Sequence, residues 1–380
     1  MFDLTPEQKD IKKAAREFAE GEFREVARTL DEKEEFNEYL WKKAAELGFI
    51  AVFVEEKYGG QGLGYLEHSI ICEEFARVDL GIAHSIASTF FGTQLLSLIA
   101  TEEQKKKFLT PVAKGEAKMG VAITEPDAGS DVASVKTVAK KVGDEYVISG
   151  NKIFITNATR ADFLIVLCMT NPESIKKHER FSTIIVETNR PGYEANKLKN
   201  KLSIRCSDTG EITFKDVRVP VKNLLGEEGK GFYYIMEFLN RSRLEAAAFG
   251  VGTAQGALEK AVDHVKKRKQ FGVYLADLPV IQTKIAEIAT LVEAARSLLY
   301  FASAKTDKGE IDHCLNAMAK WFCAEVAVKV ADEALQLHGG YGLLEEYDVA
   351  HYYRDAKVLE IFEGTKEIEK ILIGRTLLGR

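Results

Sequence analysis

The chain is predicted to be an α+β protein of three parts, an all-β region set between two helical ones, and three observations predict it. From about residue 6 to 118, apolar side chains recur at helical spacing with short connections. Near Met119 the pattern changes to short β-branched runs separated by turn residues, and four of the seven prolines fall between there and about residue 225. Beyond Gly226-Glu227-Glu228-Gly229-Lys230-Gly231 long apolar stripes return. The regions follow as 1–119, 120–227 and 228–380, and 380 residues suffice for two or three packed units of roughly 100–200 residues each.

Phe2-Asp3-Leu4-Thr5-Pro6 is a helix start, with Thr5 as N-cap and Pro6 in the first position, so no signal or transit peptide is expected before it. Ile11, Ala14, Ala15, Phe18 and Ala19 make one helical stripe; Tyr39, Leu40, Lys43, Ala44 and Leu47 make another, stopped by Gly48. The glycines of Tyr58-Gly59-Gly60-Gln61-Gly62-Leu63-Gly64 form a tight loop. No strand precedes them and no Lys-Ser/Thr follows, which disfavours a phosphate cradle. Helices resume over 70–78, over 82–99 as one helix, and after Glu102.

In the middle region 146–156 is expected to be a hairpin with Ser149-Gly150-Asn151 at its turn, followed by strands at 163–169, 182–187, 211–214 and 217–219. The third region carries helices over 232–267, 279–306, 311–337 and 365–378. The run Ala286, Ala289, Val292, Glu293, Ala294, Ala295 predicts close helix-on-helix packing, as in a bundle.

Composition, 46% hydrophobic and 29% charged, fits a globular protein. A net charge of -6 argues against a nucleic-acid binder with a basic face. The five cysteines form no CxxC pair, so neither a disulfide framework nor a zinc or other metal site is expected. No apolar run is expected to reach membrane-spanning length, which leaves the cytoplasm as the default compartment.

One carboxylate stands out, Glu363 in Ile361-Phe362-Glu363-Gly364-Thr365. It lies between an apolar run and a glycine, on the connection into the last helix. Burial there favours a base of raised pKa; a charge that simply suits a helix start is the plainer reading. Three further stretches exceed the needs of packing. Thr124-Glu125-Pro126-Asp127-Ala128-Gly129-Ser130-Asp131 can offer amide and hydroxyl donors to a polar ring edge or an anion, or be an ordinary strand-to-turn connection. Arg268-Lys269-Gln270-Phe271-Gly272 is a cationic helix end, suited also to the helix dipole. Gln336-Leu337-His338-Gly339-Gly340-Tyr341-Gly342 has more glycine than one C-cap needs, which points to a close backbone approach; His338 is read as structural.

Taken in order, these stretches, with Phe-Ile-Thr-Asn at 154–157, Tyr-Arg-Asp-Ala at 353–356 and Phe-Glu-Gly-Thr at 362–365, resemble the acyl-CoA dehydrogenases over essentially the whole chain. The resemblance implies an N-terminal helical domain, a middle β-barrel-like domain, a C-terminal four-helix bundle, and a homotetramer built as a dimer of dimers. It implies FAD between the β-domain and the C-terminal helices. Ile123, Thr124, Gly129 and Ser130 would lie along the flavin ring, with Ser130 also near the acyl-CoA. Phe154, Ile155 and Thr156 match the strand beside the flavin, although many relatives have tryptophan in place of Phe154. Arg268, Gln270, Phe271 and Gln282 resemble the segment that reaches a neighbouring subunit's cofactor. Gln336, Gly339 and Gly340 would hold its diphosphate or adenosine end, and Thr365 and Glu367 would complete the site.

The same resemblance makes Glu363 the base that takes the α-proton of a saturated thioester, while its own N–H and a flavin hydroxyl polarise the carbonyl and the flavin accepts the β-hydride. Some relatives carry the base where this chain has Ser242, which cannot serve. Arg243 resembles a residue near base and substrate, or else is an ion pair at a surface or dimer contact; Gly364 counts with the substrate contacts. The helix around 82–98 should line the acyl end, with Phe90 and Phe91 limiting its depth. No Lys or Arg lies between Asp79 and Lys105, which disfavours a dicarboxylic acyl group. A short, branched or alicyclic acyl-CoA is expected, with electron-transferring flavoprotein as acceptor. A same-fold oxidase or monooxygenase, marked by rapid air reoxidation of the flavin, and a non-catalytic acyl-CoA-binding protein, marked by failure to take up FAD, are the alternatives.

Overall fold

The structure is a computed structural model that describes residues 3–379; Met1, Phe2 and Arg380, and with them the outer ends of the first and third regions, lie outside the described residues. The first helix, α1 (Pro6–Glu22), opens with the expected cap. Thr5 accepts from Gln8 N and the Gln8 side chain accepts from Thr5 N, pairing two donors that a helix start leaves free. Then come α2 (Ala27–Lys33), α3 (Glu38–Glu46), α4 (Tyr65–Val78), α5 (Leu80–Ala87) and α6 (Thr93–Ile99). Two short pieces, α7 (Glu102–Gln104) and α8 (Thr110–Ala113), close the region.

The single helix expected over 82–99 is two. A 3₁₀ turn at Ser88–Phe90 follows α5, and Gly92 then takes φ +110° before α6 starts. A side chain there would be strained by that φ, and its Cβ would lie 2.7 Å from Val121 Cγ2. The same segment corrects the expectation about membrane-spanning runs. Leu80–Ile99 has the length and apolarity of a span, with mean hydropathy 1.3, but 78% of that window is buried inside the protein.

Eight strands form the middle region: β1 (Met119–Ala122), β2 (Val138–Val142), β3 (Glu145–Thr156), β4 (Phe163–Met169), β5 (Phe181–Glu187), β6 (Tyr193–Lys197), β7 (Thr209–Pro220) and β8 (Leu224–Leu225). They make one sheet in the order β6-β7-β3-β2-β4-β5-β8, with β1 parallel to β4. Two expectations about this sheet are corrected. Ser149-Gly150-Asn151 is a bulge inside β3 and no turn, because the equally long β7 pairs with β3 on both sides of a register shift between Ile148 and Gly150. The strands expected at 211–214 and 217–219 are likewise one, β7. The hairpin lies one step earlier, between β2 and β3.

The third region holds α9 (Gly231–Lys267), a small hairpin of β9 (Lys269–Gln270) and β10 (Val273–Tyr274), α10 (Pro279–Asp307), α11 (His313–His338), α12 (Asp348–Ala356) and α13 (Lys366–Leu377). Within it, α9 packs on α10 and α11, α13 and α12 pack on α11, and α9 also reaches across to α4. Of the alanine-rich run in α10, Val292 and Ala295 are buried, while Ala286, Glu293 and Ala294 are exposed. One hydrophobic core joins both helical regions and one face of the sheet; a second, built around Ile148, Val166, Ile184 and Val217, fills the other side of the sheet. His351 of α12 ties the parts together, with Nε2 3.0 Å from Asp355, 3.5 Å from Asp79 and 4.0 Å from Asp31. Asp355 also accepts from Ile204 N, in the loop before β7.

Candidate active site

Glu363 sits in the turn between α12 and α13 with φ +54°, and Thr365 caps α13 by accepting from Ile368 N. It therefore lies two residues before the cap, on the connection, as expected. The turn is held from three sides. Gly364, at φ +98°, lets Glu369 pass so close that a Cβ would stand 2.0 Å from its Oε1. Glu369 is fully buried and pairs with Arg243 Nε at 2.9 Å. Lys320, also fully buried, donates to the carbonyl oxygen of Gly364.

The Glu363 carboxylate accepts from Ser242 Oγ on α9. Its pKa is pushed up to about 7, first by burial; the Ser242 hydrogen bond opposes the rise, and the charge of Glu245 adds to it. Lys320 is pushed down to about 8, again mainly by burial. Arg243 is no surface pair: it is buried, its Nε and Nη1 donating to Glu369 and Asn240, and it supports the turn that carries Glu363.

Of the two expected wall residues, half-buried Phe91 stands edge-on to Phe238 of α9, 4.8 Å between centroids. Phe90 is buried among Phe53 and His68. Asn157 joins this wall to the sheet, its amide donating to Ser88 O and Met119 O.

The strand-end loop is built as a presenting surface. Lys152, buried on β3, donates to Ile123 O at 2.8 Å and to Glu125 at 2.9 Å, and Ile153 N donates to Thr124 O. Glu125 also accepts from the amides of Lys136 and Thr137. With the inner side of the loop so occupied, Gly129 and Ser130 are exposed, and Ile123, Thr124 and Thr156 are half-buried. Phe154 is 66% exposed, a large apolar surface for a strand residue, whereas the Ile155 side chain is buried in the sheet core.

A cavity of about 430 Å³ brings together Arg268, Gln270, Gln336, Gly339 and Gly340. Every residue lining it comes from the third region, so it stands apart from the loop at Thr124. Arg268 lies over the Tyr341 ring, and His338 stacks on His264 while bonding Ala334 O, a packing role as expected. Phe271 is 93% exposed; Gln282 bonds Ala276 O beside the cavity, and Glu367 is exposed on α13.

Lys152, Lys320, Glu369 and the pair Glu245–His68 were not anticipated. A signal existed for the lysines: Lys152 is in phase with Tyr146 and Ile148, and Lys320 falls on the stripe of Ala317, Ala324 and Ala327.

Three family profiles match: acyl-CoA dehydrogenase N-terminal domain over residues 5–116, middle domain over 120–217 and C-terminal domain over 229–378. Acryloyl-CoA reductase (NADH) of Anaerotignum propionicum is 40% identical over 381 residues, covering 100% of this chain and 96% of its own. Butyryl-CoA dehydrogenase of Megasphaera elsdenii superposes with a TM-score of 0.96 at 38% identity, covering 100% of both chains. A solved structure described as the electron transferring flavoprotein of Acidaminococcus fermentans, towards a mechanism of flavin-based electron bifurcation, holds a chain that superposes with a TM-score of 0.97 at 37% identity, again covering 100% of both. A polarised, half-buried glutamate on a braced turn, a loop with its donors turned outward, and this full-length likeness agree: the chain belongs to the acyl-CoA dehydrogenases, FAD-dependent oxidoreductases.

Proposed function

We propose that this chain removes the α- and β-hydrogens of a short, branched or alicyclic acyl-CoA to give the 2-enoyl-CoA, with Glu363 as the base. The observation that carries this reading is the setting of Glu363, a carboxylate with a pKa near 7 that one hydrogen bond, from Ser242, points and partly stabilises. A base matched to neutral pH takes a weakly acidic proton more readily than an ordinary carboxylate. The amide N–H of Glu363 has no hydrogen-bond partner among the described residues, so it is available to the thioester oxygen as negative charge develops there. Lys320 and Arg243 brace the turn without touching that carboxylate directly.

The residues fit FAD. Thr124, Ser130 and Thr156 offer hydroxyls beside the bare ring of Phe154, and Arg268 and Gln336 stand beside Gly339 and Gly340, where a Cβ would meet nothing within 4 Å. Bound there, FAD supplies the acceptor for the β-hydride. Because the Arg268 cavity holds nothing from the β-region, we take it to serve the cofactor of a neighbouring subunit in a homotetramer. Phe91 against Phe238 narrows the acyl end, and the names of the acryloyl-CoA and butyryl-CoA relatives favour a short acyl group. The likeness to the Acidaminococcus structure favours electron-transferring flavoprotein as partner. The reductase relative favours a second reading, the same residues run backwards, with the Glu363 carboxyl returning its proton to Cα. Anaerobic bleaching of the bound flavin by propionyl-, butyryl-, isobutyryl-, cyclohexanecarbonyl- and octanoyl-CoA tests the proposal. Bleaching by the first four and little by the last is expected; no bleaching by any would overturn it.

A further inference from the structure

Glu245 lies on α9 three residues past Ser242, on the helix face that meets Glu363. It is 6% exposed. Among the described residues its carboxylate has one hydrogen-bond partner, His68 Nε2, 2.9 Å from Oε2; Oε1 has none. His68, on α4, is 2% exposed and stands edge-on to Phe90 at 5.6 Å and to Phe53 at 5.2 Å. Cys72 Sγ completes the group, 3.6 Å from the same nitrogen. Glu245 therefore links two parts of the site. Its charge is felt by the Glu363 carboxyl, and its partner packs on the aromatic wall.

A pocket for a plain hydrocarbon chain would be lined here by carbon. A carboxylate oxygen that no protein donor reaches, and that is not sealed from solvent, is open to a donor brought by the ligand, whereas a hydrocarbon laid against it would strip its water at a cost. Sites built around a polar partner discriminate strongly, because the analogue lacking it leaves the protein group unpaired. We propose that Glu245 determines specificity, its unpaired oxygen accepting a hydrogen bond from the far end of a short acyl group that carries a donor, either a hydroxyl or an ammonium. This rests on Glu363 as the base and on the Phe90–Phe91 segment as the acyl wall. An acyl group with Cα at Glu363 that runs along α9 from Ser242 meets Glu245 about one helical turn on.

The test uses the flavin-loaded enzyme and anaerobic flavin reduction with matched sets: butyryl-, 4-hydroxybutyryl- and 4-aminobutyryl-CoA, then valeryl-, 5-hydroxyvaleryl- and 5-aminovaleryl-CoA. At least one donor-ended member should exceed its parent about tenfold in kcat/KM, a ratio worth one well-placed hydrogen bond. The hydroxyl and amino arms identify which donor is read. Glu245→Leu should lower that ratio about tenfold, and Glu245→Gln, of the same shape, about threefold, so the test survives if the leucine variant does not fold. Parents preferred by the wild type, or a ratio unmoved in the variants, overturn the inference. Bleaching by butyryl-CoA with no preference removes this inference alone; no bleaching by any member removes the dehydrogenase reading and this one with it.

Discussion

The hydroxyl of Ser242 donates to Oε2 of Glu363, across 121 residues of sequence. This bond favours the charged carboxylate, so its loss should raise the pKa further. Since only the deprotonated form takes a proton, activity rises with pH through that pKa. In Ser242→Ala the acid limb of kcat/KM should move up by about one pH unit, the worth of a hydrogen bond to a charged group. An unmoved limb would mean that the hydroxyl does not tune the base.

Glu363→Gln keeps the size of the side chain but removes the basic oxygen. FAD and acyl-CoA should still bind, while the rate of flavin reduction falls at least ~10²-fold. Stopped-flow absorbance measures it, and a near-normal rate would move the base to another carboxylate.

Phe90 and Phe91 should behave differently from one another. Phe91→Ala opens the contact with Phe238 and should shift preference towards longer straight chains. Phe90 is 1% exposed in the core, so Phe90→Ala should instead cost about 3–5 kcal/mol of stability. Chain-length profiles and denaturant titrations separate the two effects.

Flavin content should follow assembly. If the cavity of Arg268 and Gln336 serves a neighbour, diluting or dissociating the oligomer releases FAD. Sizing chromatography with absorbance at flavin wavelengths reads this directly, and a monomer that keeps its flavin contradicts it.

His351 sets an alkaline limit on stability. Asp355, Asp79 and Asp31 outweigh its burial and raise its pKa from 6.5 to about 10. A raised folded-state pKa gives stability that is complete below about pH 6.5 and is lost as pH climbs through about 10. Tm should therefore fall over that window in the wild type, while His351→Gln starts lower and changes less.

Much of the candidate site stands out in the sequence because its loops use residues that packing does not need. Glycines after His338 and hydroxyls after Ile123 stand out against turn chemistry alone. Ser149-Gly150-Asn151 misled because the same residues suit a bulge, and only the length of β7, some sixty residues on, decides between them. The braces were hidden for a related reason. A lysine on an apolar stripe marks itself as odd, but Glu125 for Lys152 and Gly364 O for Lys320 come from other elements, and no local pattern names a partner.

The apolar segment Leu80–Ile99 has a consequence for how the chain is made. About twenty residues at 1.5 Å each would give a straight rod of roughly 30 Å, the thickness of a bilayer core, and the bend at Gly92 prevents that rod. Most of its cover comes from neighbours in sequence such as α4 and β1, but part comes from α9, which leaves the ribosome more than a hundred residues later. Until then the face that α9 will cover is open to other chains, and an apolar surface left open during synthesis is where a growing polypeptide aggregates.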